Sequence, residues 1–380
     1  MNKLICNAPH TSMFINQRNN IFPCCVFDQN KFGKVHTSID EYLKSPELSD
    51  IKHKLESGIW PKGCHRCKYK QDIGIDNDAD NYLNKIKKDN LDLNQISSPI
   101  YLDIRPGSDC NLKCRMCFPT ASNLINEEFL KNPSMQKWQP IVNNYDFDMD
   151  QVIDFIQNNE IHTLKILGGE PTIDKNVFKL LNQVSKYKKI QHLRFTTNAT
   201  NLNKKFKTVI SNFDKVTVHF SLDGVYETYN YIRTNANFKK VEKNIINIMK
   251  EQPSFKYAFN IVLTPYNIFN LSDMLYWFLN LEKEGYKFHL SFNHSEANYT
   301  NLSAIKDKHR YNVIEEIKKS FCFINTNIEI NDLITLLENT SYSKKDYESF
   351  IKYNKTLDNI RKTSLKKLDD RFVNYIEKNN

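Results

Sequence analysis

The stretch SDCNLKCRMCF, residues 108–118, contains three cysteines within eight positions. Cys110, Cys114 and Cys117 have the spacing C-x3-C-x2-C, and no histidine or further cysteine lies close to them in the sequence. A structural zinc ion normally has four protein ligands, so this loop is one ligand short of a closed zinc site. Three thiolates can instead hold three irons of a cubane, which leaves the fourth iron open to a small molecule.

The composition predicts a folded protein with a dispersed positive charge. The chain has 380 residues, 40% of them hydrophobic, with 24 Phe and 19 Tyr, which is enough for one large or two smaller cores and excludes a disordered chain. The net charge of +9 comes from Lys and Arg residues spread along the sequence. This spread is typical of a solvated surface, so we do not expect a nucleic-acid partner.

The sequence gives no sign of export or membrane insertion. The start MNKLICNAPH lacks the apolar run of a signal peptide, and no stretch reaches the roughly 20 apolar residues that span a bilayer. We therefore expect a cytoplasmic protein without a membrane partner. Nine cysteines in such a protein favour metal or redox chemistry over disulfides, although Cys322, isolated between Phe321 and Phe323, is predicted to be a small core residue.

From Pro99 onward, short β-like runs alternate with amphipathic helical segments. The predicted strands are 100–105, 162–168, 192–197, 215–222, 258–264 and 287–292. This alternation predicts an α/β fold, a partial (β/α)6 TIM-like barrel, whose reactive groups gather at the C-terminal ends of the strands.

Four regions are predicted along the chain. Residues 1–75 form a cysteine-rich module, 76–98 a connecting helix or linker, 99–300 the partial barrel and 301–380 a helical C-terminal tail. Within the first region, one helix is predicted over residues 38–58, and Ser38 with Glu41 is typical of a capping box at its start.

The C-x3-C-x2-C loop directly after the first strand of a partial barrel resembles the radical SAM superfamily. The resemblance implies a [4Fe-4S] cluster on Cys110, Cys114 and Cys117, whose open iron binds the amino and carboxylate groups of S-adenosylmethionine. It implies reductive cleavage to methionine and a 5′-deoxyadenosyl radical, chemistry that the cofactor carries while the protein orients and shields it. An electron donor such as flavodoxin or ferredoxin is implied as a partner.

The motif GGEP at the end of the second strand resembles the segment that binds the methionine amino group in this family. It comprises Gly168, Gly169, Glu170 and Pro171. Independently of the resemblance, glycines permit close backbone approach, and the Glu170 carboxylate can accept from an ammonium group.

Two further strand ends carry matching motifs. TTNAT, which includes Asn198, resembles the TNG turn of the family, with Ala199 in place of glycine. SLDG begins with Ser221, and Arg233 follows it. By resemblance, Ser221 and Arg233 hold the carboxylate and ribose of the cofactor, a role that suits a guanidinium group.

The early cysteines supply four candidate ligands, Cys6, Cys24, Cys64 and Cys67, with Cys25 left over. By spacing alone this set is equally typical of an all-thiolate zinc site. The surrounding pattern, C-x-APH, NIFPCC, a helix and GxxPxGCxxC, resembles the twitch or SPASM module. The resemblance implies one auxiliary [4Fe-4S] cluster, here on the N-terminal side of the barrel. Either Cys24 or Cys25 can be the ligand, and Cys24, which follows Pro23, is favoured.

The module normally has a glycine shortly before its second cysteine. Asn19 and Asn20 stand there in this sequence, and Asn accepts a positive φ better than other non-glycine residues.

The remaining polar candidates are weaker. His294 and Glu296 follow the sixth strand and are candidate catalytic proton donors or acceptors, the alternative being an ordinary polar loop. Asp358 and Arg361 are predicted to form a solvated helix pair, the alternative being a segment that folds over the substrate opening.

The leading hypothesis is a radical SAM enzyme that abstracts hydrogen from an unidentified substrate. By resemblance, peptide or protein modification is somewhat favoured, with nucleotides or sugars next. The alternative is a non-enzymatic, zinc-stabilised module that binds nucleic acid or protein, and this alternative leaves GGEP and SLDG unexplained.

Overall fold

The computed structural model describes residues 4–321, 326, 328–368 and 370–377, so Cys322 lies outside the described residues. The chain divides into two compact units. Unit 1 consists of Met1–Asp109, Asn143–Phe195 and Asn203–Thr217. Unit 2 consists of Cys110–Val142, Thr196–Leu202 and Val218–Asn380.

The described residues form ten strands. They are β1 Ser12–Ile15, β2 Ile21–Phe22, β3 Tyr101–Ile104, β4 Lys113–Cys114, β5 Ile161–Ile166, β6 Ile190–Thr197, β7 Val216–Ser221, β8 Arg233–Thr234, β9 Lys256–Leu263 and β10 His289–His294. In unit 1 the strand order is β6-β5-β3-β1-β2, parallel except for the antiparallel pair of β1 and β2. In unit 2, β9 and β10 pair in parallel, and β4 and β8 form a short antiparallel pair.

Helices connect and follow these strands. They are α1 Ala8–Thr11, α2 Ile39–Leu43, α3 Pro46–Glu56, α4 His65–Asp72, α5 Asp78–Lys88, α6 Asn123–Lys131, α7 Met149–Asn158, α8 Lys175–Val184, α9 Lys204–Ile210, α10 Tyr226–Ile232, α11 Phe238–Glu251, α12 Leu271–Lys283, α13 Asp307–Phe321, α14 Asn331–Glu338, α15 Lys344–Arg361 and α16 Asp370–Glu377. Among the described helices, none combines the length and the apolar character needed to cross a bilayer.

All six predicted barrel strands are present, as β3, β5, β6, β7, β9 and β10, with ends within two residues of the predicted ones. The predicted α/β class is confirmed, as are the helices of the C-terminal region. One addition was not predicted: β1 pairs in parallel with β3, with Phe14 opposite Asp103. All four residues of β1 are buried, so this short run has no polar alternation to distinguish it from a loop.

The single helix predicted over residues 38–58 is wrong, because the structure has two helices there. Ser38 caps α2 as predicted, and its Oγ accepts a hydrogen bond from the Glu41 amide at 3.4 Å. Pro46 cannot donate a backbone hydrogen bond, so the first helix ends before it. Ser45 then caps α3 by accepting from the Leu48 amide at 3.3 Å.

The strands of unit 1 have one apolar and one polar face, because side chains alternate along a strand. The apolar residues are at most 1% exposed, and burial of each contributes about 1.5–3 kcal/mol. They are Leu102, Ile104, Leu164, Ile166, Leu193 and Phe195. The opposite face carries charged residues in register, Asp103 beside Lys165 and Lys165 beside Arg194. A face that carries such charges is suited to a polar ligand rather than to an apolar core.

Candidate functional site

The three cysteines of unit 2 lie on one tight loop. Cys114 is in β4, directly opposite Arg233 in β8, and the Cys117 amide donates to the Cys114 carbonyl at 3.1 Å. Burial raises the pKa of the Cys117 thiol, and the charges of Cys114 and Cys110 raise it further. Each thiolate therefore raises the cost of ionising its neighbour, and a bound cationic group would lower that cost.

Arg233 joins this loop to the SLDG motif. Its Nη1 is 3.6 Å from the Cys114 sulfur, and its Nη2 is 2.5 Å from Oδ2 of Asp223. Burial alone would lower the pKa of Arg233, but Asp223 and Cys114 raise it overall. Asp223 is fully buried, and its Oδ1 accepts from the Val262 amide at 2.8 Å. Asp223 was not among the residues predicted from the sequence, although an acidic residue at a strand end with an arginine ten positions later was a usable signal. Ser221, the last residue of β7, is half-buried.

The TTNAT turn is bound to the loop between Cys110 and Cys114. Asn198 donates from Nδ2 to Oδ1 of Asn111 at 3.0 Å, and Asn111 donates from Nδ2 to Oγ1 of Thr200 at 2.7 Å. Ala199 has a φ of 57°, so the backbone keeps the left-handed conformation that the glycine of the related turn would favour. The structure thus brings Asn198 to the three-cysteine loop.

The GGEP segment in unit 1 lies against the backbone that precedes Cys110. Gly169 donates to the Gly107 carbonyl at 3.1 Å, and the Glu170 amide donates to the Asp109 carbonyl at 2.6 Å. A Cβ on Gly168 would be 2.6 Å from the Gly107 oxygen, and one on Gly169 only 2.2 Å from the Asp109 oxygen. The two glycines thus allow this segment to pack tightly against the chain's own backbone.

The carboxylate that follows these glycines is already held in place. Glu170 is 1% exposed, and its Oε1 accepts from the hydroxyl of Thr172 at 2.6 Å and from the Thr172 amide at 3.2 Å. Pro171, the last residue of the motif, is also buried. Glu170 therefore has a fixed position rather than a mobile one.

Four of the early cysteines, Cys6, Cys24, Cys64 and Cys67, line one cavity of unit 1. Burial raises the pKa of Cys6 and of Cys64 to about 12, and the neighbouring thiolate of Cys67 adds to both increases. Burial also raises the pKa of Cys24 well above its usual value, with further contributions from the other thiolates. The amide of Ala8 donates to the Cys6 sulfur at 3.4 Å. Four clustered thiols that are costly to ionise fit a group that supplies compensating positive charge.

The four thiols do not converge on a single point. Among the described residues, no three His, Cys, Asp or Glu side chains are arranged to hold one metal ion. A cubane binds one thiolate at each iron, so its ligands surround a volume rather than a point.

The turn at Asn19 has a φ of 59°, the positive φ that the glycine normally found near this position of the module would favour.

Cys25 is not among the residues that line this cavity. Its sulfur is 3.7 Å from Nζ of Lys165, on the polar face of the unit 1 strands. Burial raises the pKa of Cys25 to about 11, although the Lys165 charge acts in the opposite direction. The two adjacent cysteines therefore have different surroundings.

The polar face of unit 1 carries more cations than carboxylates. Lys165 pairs with Asp103 at 2.9 Å, and Oδ1 of Asp103 is buried without a hydrogen-bond partner among the described residues. Burial lowers the pKa of Lys85 to about 8, and the charges of Arg194 and Lys165 lower it further. Sequence reasoning missed this cluster, because its residues lie on separate strands and on α5.

Four polar candidates lie in β10, in the segment after it and in α15. His294 ends β10 and is half-buried, and Glu296 is exposed, so both remain predictions. The predicted solvated pair of Asp358 and Arg361 is wrong. Asp358 binds Arg115 and Arg361 binds Glu128, because both side chains of α15 face buried partners rather than solvent.

Two family models match the chain. The radical SAM superfamily model matches residues 104–278, and the model of SPASM, an iron–sulfur cluster-binding domain, matches residues 6–68.

Similar curated proteins include two GTP 3′,8-cyclases. The one from Syntrophomonas wolfei subsp. wolfei is 27% identical over 156 residues, which cover 40% of this chain and 42% of that protein. The one from Campylobacter lari is 25% identical over 230 residues, covering 58% of this chain and 64% of that protein. The matches thus span less than two thirds of each of these relatives.

Among solved structures, Streptococcus suis SuiB bound to S-adenosylmethionine is 17% identical, with a TM-score of 0.43, over 76% of this chain and 62% of that chain. The two domain matches confirm the predicted family and the two predicted cofactor types, a [4Fe-4S] cluster with S-adenosylmethionine and an auxiliary iron–sulfur cluster. The chain therefore contains a radical SAM domain, with a SPASM domain on the N-terminal side of it.

Proposed function

We propose that this chain is a radical SAM enzyme whose [4Fe-4S] cluster is held by Cys110, Cys114 and Cys117. The supporting observation is the single loop of three half-buried cysteines, with Arg233 beside Cys114 and paired with Asp223. A cluster held there would supply the electron for reductive cleavage of S-adenosylmethionine and so the radical chemistry of hydrogen abstraction from the substrate. The protein's own task is to bind, orient and shield these groups.

Residues at three strand ends would hold S-adenosylmethionine. The proposed contacts are Gly168, Gly169, Glu170, Pro171, Asn198, Ser221 and Arg233. The two glycines let this segment pack closely against the carbonyls of Gly107 and Asp109, and the fixed carboxylate of Glu170 suits the ammonium group of the ligand. Arg233 keeps a buried Nε without a hydrogen-bond partner among the described residues, which supports its role as a donor to the ligand.

We propose that Cys6, Cys24, Cys64 and Cys67 hold the auxiliary [4Fe-4S] cluster. The shared cavity supports this set, and the position of Cys25 beside Lys165 supports Cys24 over Cys25. With four thiolates bound, the cluster is suited to electron transfer with the substrate rather than to direct substrate binding.

We propose a substrate with an anionic group, bound at the polar face of unit 1. Lys85, Lys165 and Arg194 are mutually repulsive there, and a bound anion would relieve that repulsion. The similar proteins named GTP 3′,8-cyclase act, by their name, on a nucleoside triphosphate. A nucleotide is therefore better supported than the peptide that the sequence analysis favoured. His294 and Glu296 remain the candidates for proton transfer.

The reaction needs an electron donor, for which flavodoxin or ferredoxin is proposed. We propose a cytoplasmic location, since cysteines that serve as cluster ligands are kept reduced in such a compartment.

The decisive experiment is anaerobic purification followed by a reaction with dithionite and S-adenosylmethionine. We expect about 8 Fe and about 8 sulfides per chain, as two cubanes require, and formation of 5′-deoxyadenosine. Cys114→Ala should abolish the product. Colourless protein that contains zinc would instead support the zinc-stabilised binding module and would refute the proposal.

A further inference from the structure

We infer that helix α15 is a positioning element for the three-cysteine loop. Its side chains bind the residues on both sides of Cys114, so the loop has its final shape before a cofactor enters. The inference builds on the proposed function, in which this loop holds the cluster. All the contacts involved lie within unit 2.

The residue after Cys114 is the first anchor. Arg115 is 0% exposed, and it stacks on the ring of Tyr231 with its Cζ 3.7 Å from the ring centroid. Its Nη2 is 2.5 Å from Oδ1 of Asp358, and its Nη1 donates to Oδ1 of Asn354 at 3.1 Å. Both acceptors belong to α15. Burial of a guanidinium is costly unless its N–H donors have acceptors, so the acceptors fix its position. Helix α15 supplies two of the acceptors of Arg115.

The residue before Cys114 is the second anchor. Arg361, the last residue of α15, donates from Nη1 to the Lys113 carbonyl at 2.7 Å. The same guanidinium binds both carboxylate oxygens of Glu128, which also accepts from the Lys113 ammonium at 3.0 Å. The side chains of Arg361 and Glu128 are only 3% and 4% exposed. This ion pair is therefore protected from the solvent screening that weakens surface pairs.

The backbone next to Cys114 is held on both sides. The Tyr353 hydroxyl of α15 donates to the Arg115 carbonyl at 2.9 Å. Side chains of α15 thus bind the carbonyls of Lys113 and Arg115, and β8 pairs with β4 on the other edge.

Apolar packing adds to these polar contacts. Tyr353 and Leu357 of α15 belong to a buried cluster with Phe129 and Tyr299, and Cys117 packs against that cluster. The loop that carries all three thiols is therefore bound by α15 beside Cys114 and packed against the apolar cluster at Cys117.

Such anchoring has a direct consequence for cofactor binding. A loop that is already ordered loses little conformational entropy when it binds a ligand, whereas a loose loop must be ordered at that step. A variant with weakened α15 contacts still has all three cysteine ligands. We expect it to retain the cluster less well and to hold it in an altered geometry.

The test compares Arg361→Gln with Lys318→Gln in the full-length protein. Lys318→Gln removes an exposed ion pair with Glu338 and serves as the matched control. The first measurement is limited trypsin digestion of the metal-free protein, with cleavage after Lys113 and Arg115 followed by mass spectrometry. We expect Arg361→Gln to be cleaved there at least tenfold faster than the unmodified protein and than the control.

The second measurement is made on the reconstituted protein. We expect Arg361→Gln to lose iron from about 8 towards about 4 per chain. We also expect it to lose most of the change in the electron paramagnetic resonance spectrum on addition of S-adenosylmethionine. Equal cleavage rates together with unchanged iron and spectra would overturn the inference.

A milder variant covers the case in which Arg361→Gln does not fold. Tyr353→Phe removes only the hydroxyl that binds the Arg115 carbonyl, and cleavage two- to threefold faster than in the unmodified protein is expected. An unchanged rate would then refute the inference. Because proteolysis is measured without the cluster, it reports on α15 even if the unmodified protein binds no iron and the proposed function fails.

Discussion

The Cys25 sulfur lies 3.7 Å from the Lys165 ammonium, while the adjacent Cys24 lines the cavity of Cys6, Cys64 and Cys67. Two neighbouring thiols thus face two different surroundings. Of these two cysteines, only Cys24 is proposed as a ligand of the auxiliary cluster.

The matched pair Cys24→Ala and Cys25→Ala tests this assignment. We expect Cys24→Ala to lose about 4 Fe per chain after anaerobic reconstitution, because a cubane normally needs four ligands, and Cys25→Ala to keep its iron. Iron analysis together with the visible absorption spectrum checks both. Iron loss confined to the Cys25 variant would reverse the assignment.

Gly169→Ala should be strongly destabilising. Its new Cβ would lie 2.2 Å from the Asp109 carbonyl, a backbone atom that cannot move without displacing the start of the three-cysteine loop. Overpacking of this kind costs about 3 kcal/mol, and it should also weaken S-adenosylmethionine binding. Thermal unfolding and equilibrium dialysis measure the two effects.

Gly74→Ala provides the comparison for this effect. Gly74 has a φ of 75° with no atom within 4 Å of an added Cβ, so only the backbone cost of about 1 kcal/mol applies. If the two variants lost similar amounts of unfolding free energy, the contact between the new Cβ and the Asp109 carbonyl would not be the cause.

Arg194→Met should weaken binding of an anionic substrate. Arg194 lies beside Lys165 in the sheet, and its guanidinium adds to the positive charge of this face. With GTP as the probe in calorimetry, we expect at least tenfold weaker binding, equivalent to about 1.4 kcal/mol. The exposed Lys318→Gln serves as the control. If the unmodified protein does not bind GTP or inorganic triphosphate, the anionic-substrate proposal is wrong.

Anion binding should also depend on pH through Lys85, whose pKa burial lowers to about 8. Below this pH the ammonium is charged and attracts an anion, and above it the neutral amine does not. Affinity for GTP should therefore fall between pH 7 and 9, and Lys85→Arg should remove most of this fall, since arginine stays charged.

The lowered pKa of Lys85 also predicts how the free energy of unfolding changes with pH. The unfolded chain binds more protons than the folded one between pH 8 and about 10.4, so the contribution of Lys85 to folding becomes more favourable as the pH rises through that window. Urea unfolding at pH 7.5 and 9.5, compared with Lys85→Met, measures it. A fall in the Lys85-dependent contribution would contradict the lowered pKa.

The strands were predictable because short runs rich in apolar residues alternate with amphipathic helical segments along the sequence. The helix break at Pro46 was predictable from Ser45 and Pro46, which together end one helix and cap the next. The roles of Asp358 and Arg361 were not predictable, since their partners Arg115 and Glu128 lie more than 200 residues away in the sequence.

The polar row at Asp103, Lys165 and Arg194 shows a second limit of sequence reasoning. A strand face that lines a ligand site and one that faces solvent have the same alternation of apolar and polar residues. Only the register of neighbouring strands brings these three side chains together.

The contact between Arg361 and the Lys113 carbonyl joins residues 248 positions apart, which sets an order of events during synthesis. At about 5–20 residues per second, the ribosome adds Arg361 roughly 10–50 s after it has added Lys113. Throughout that interval the nascent thiols are without their anchor. Iron–sulfur insertion into a settled loop must therefore wait until translation has passed residue 361.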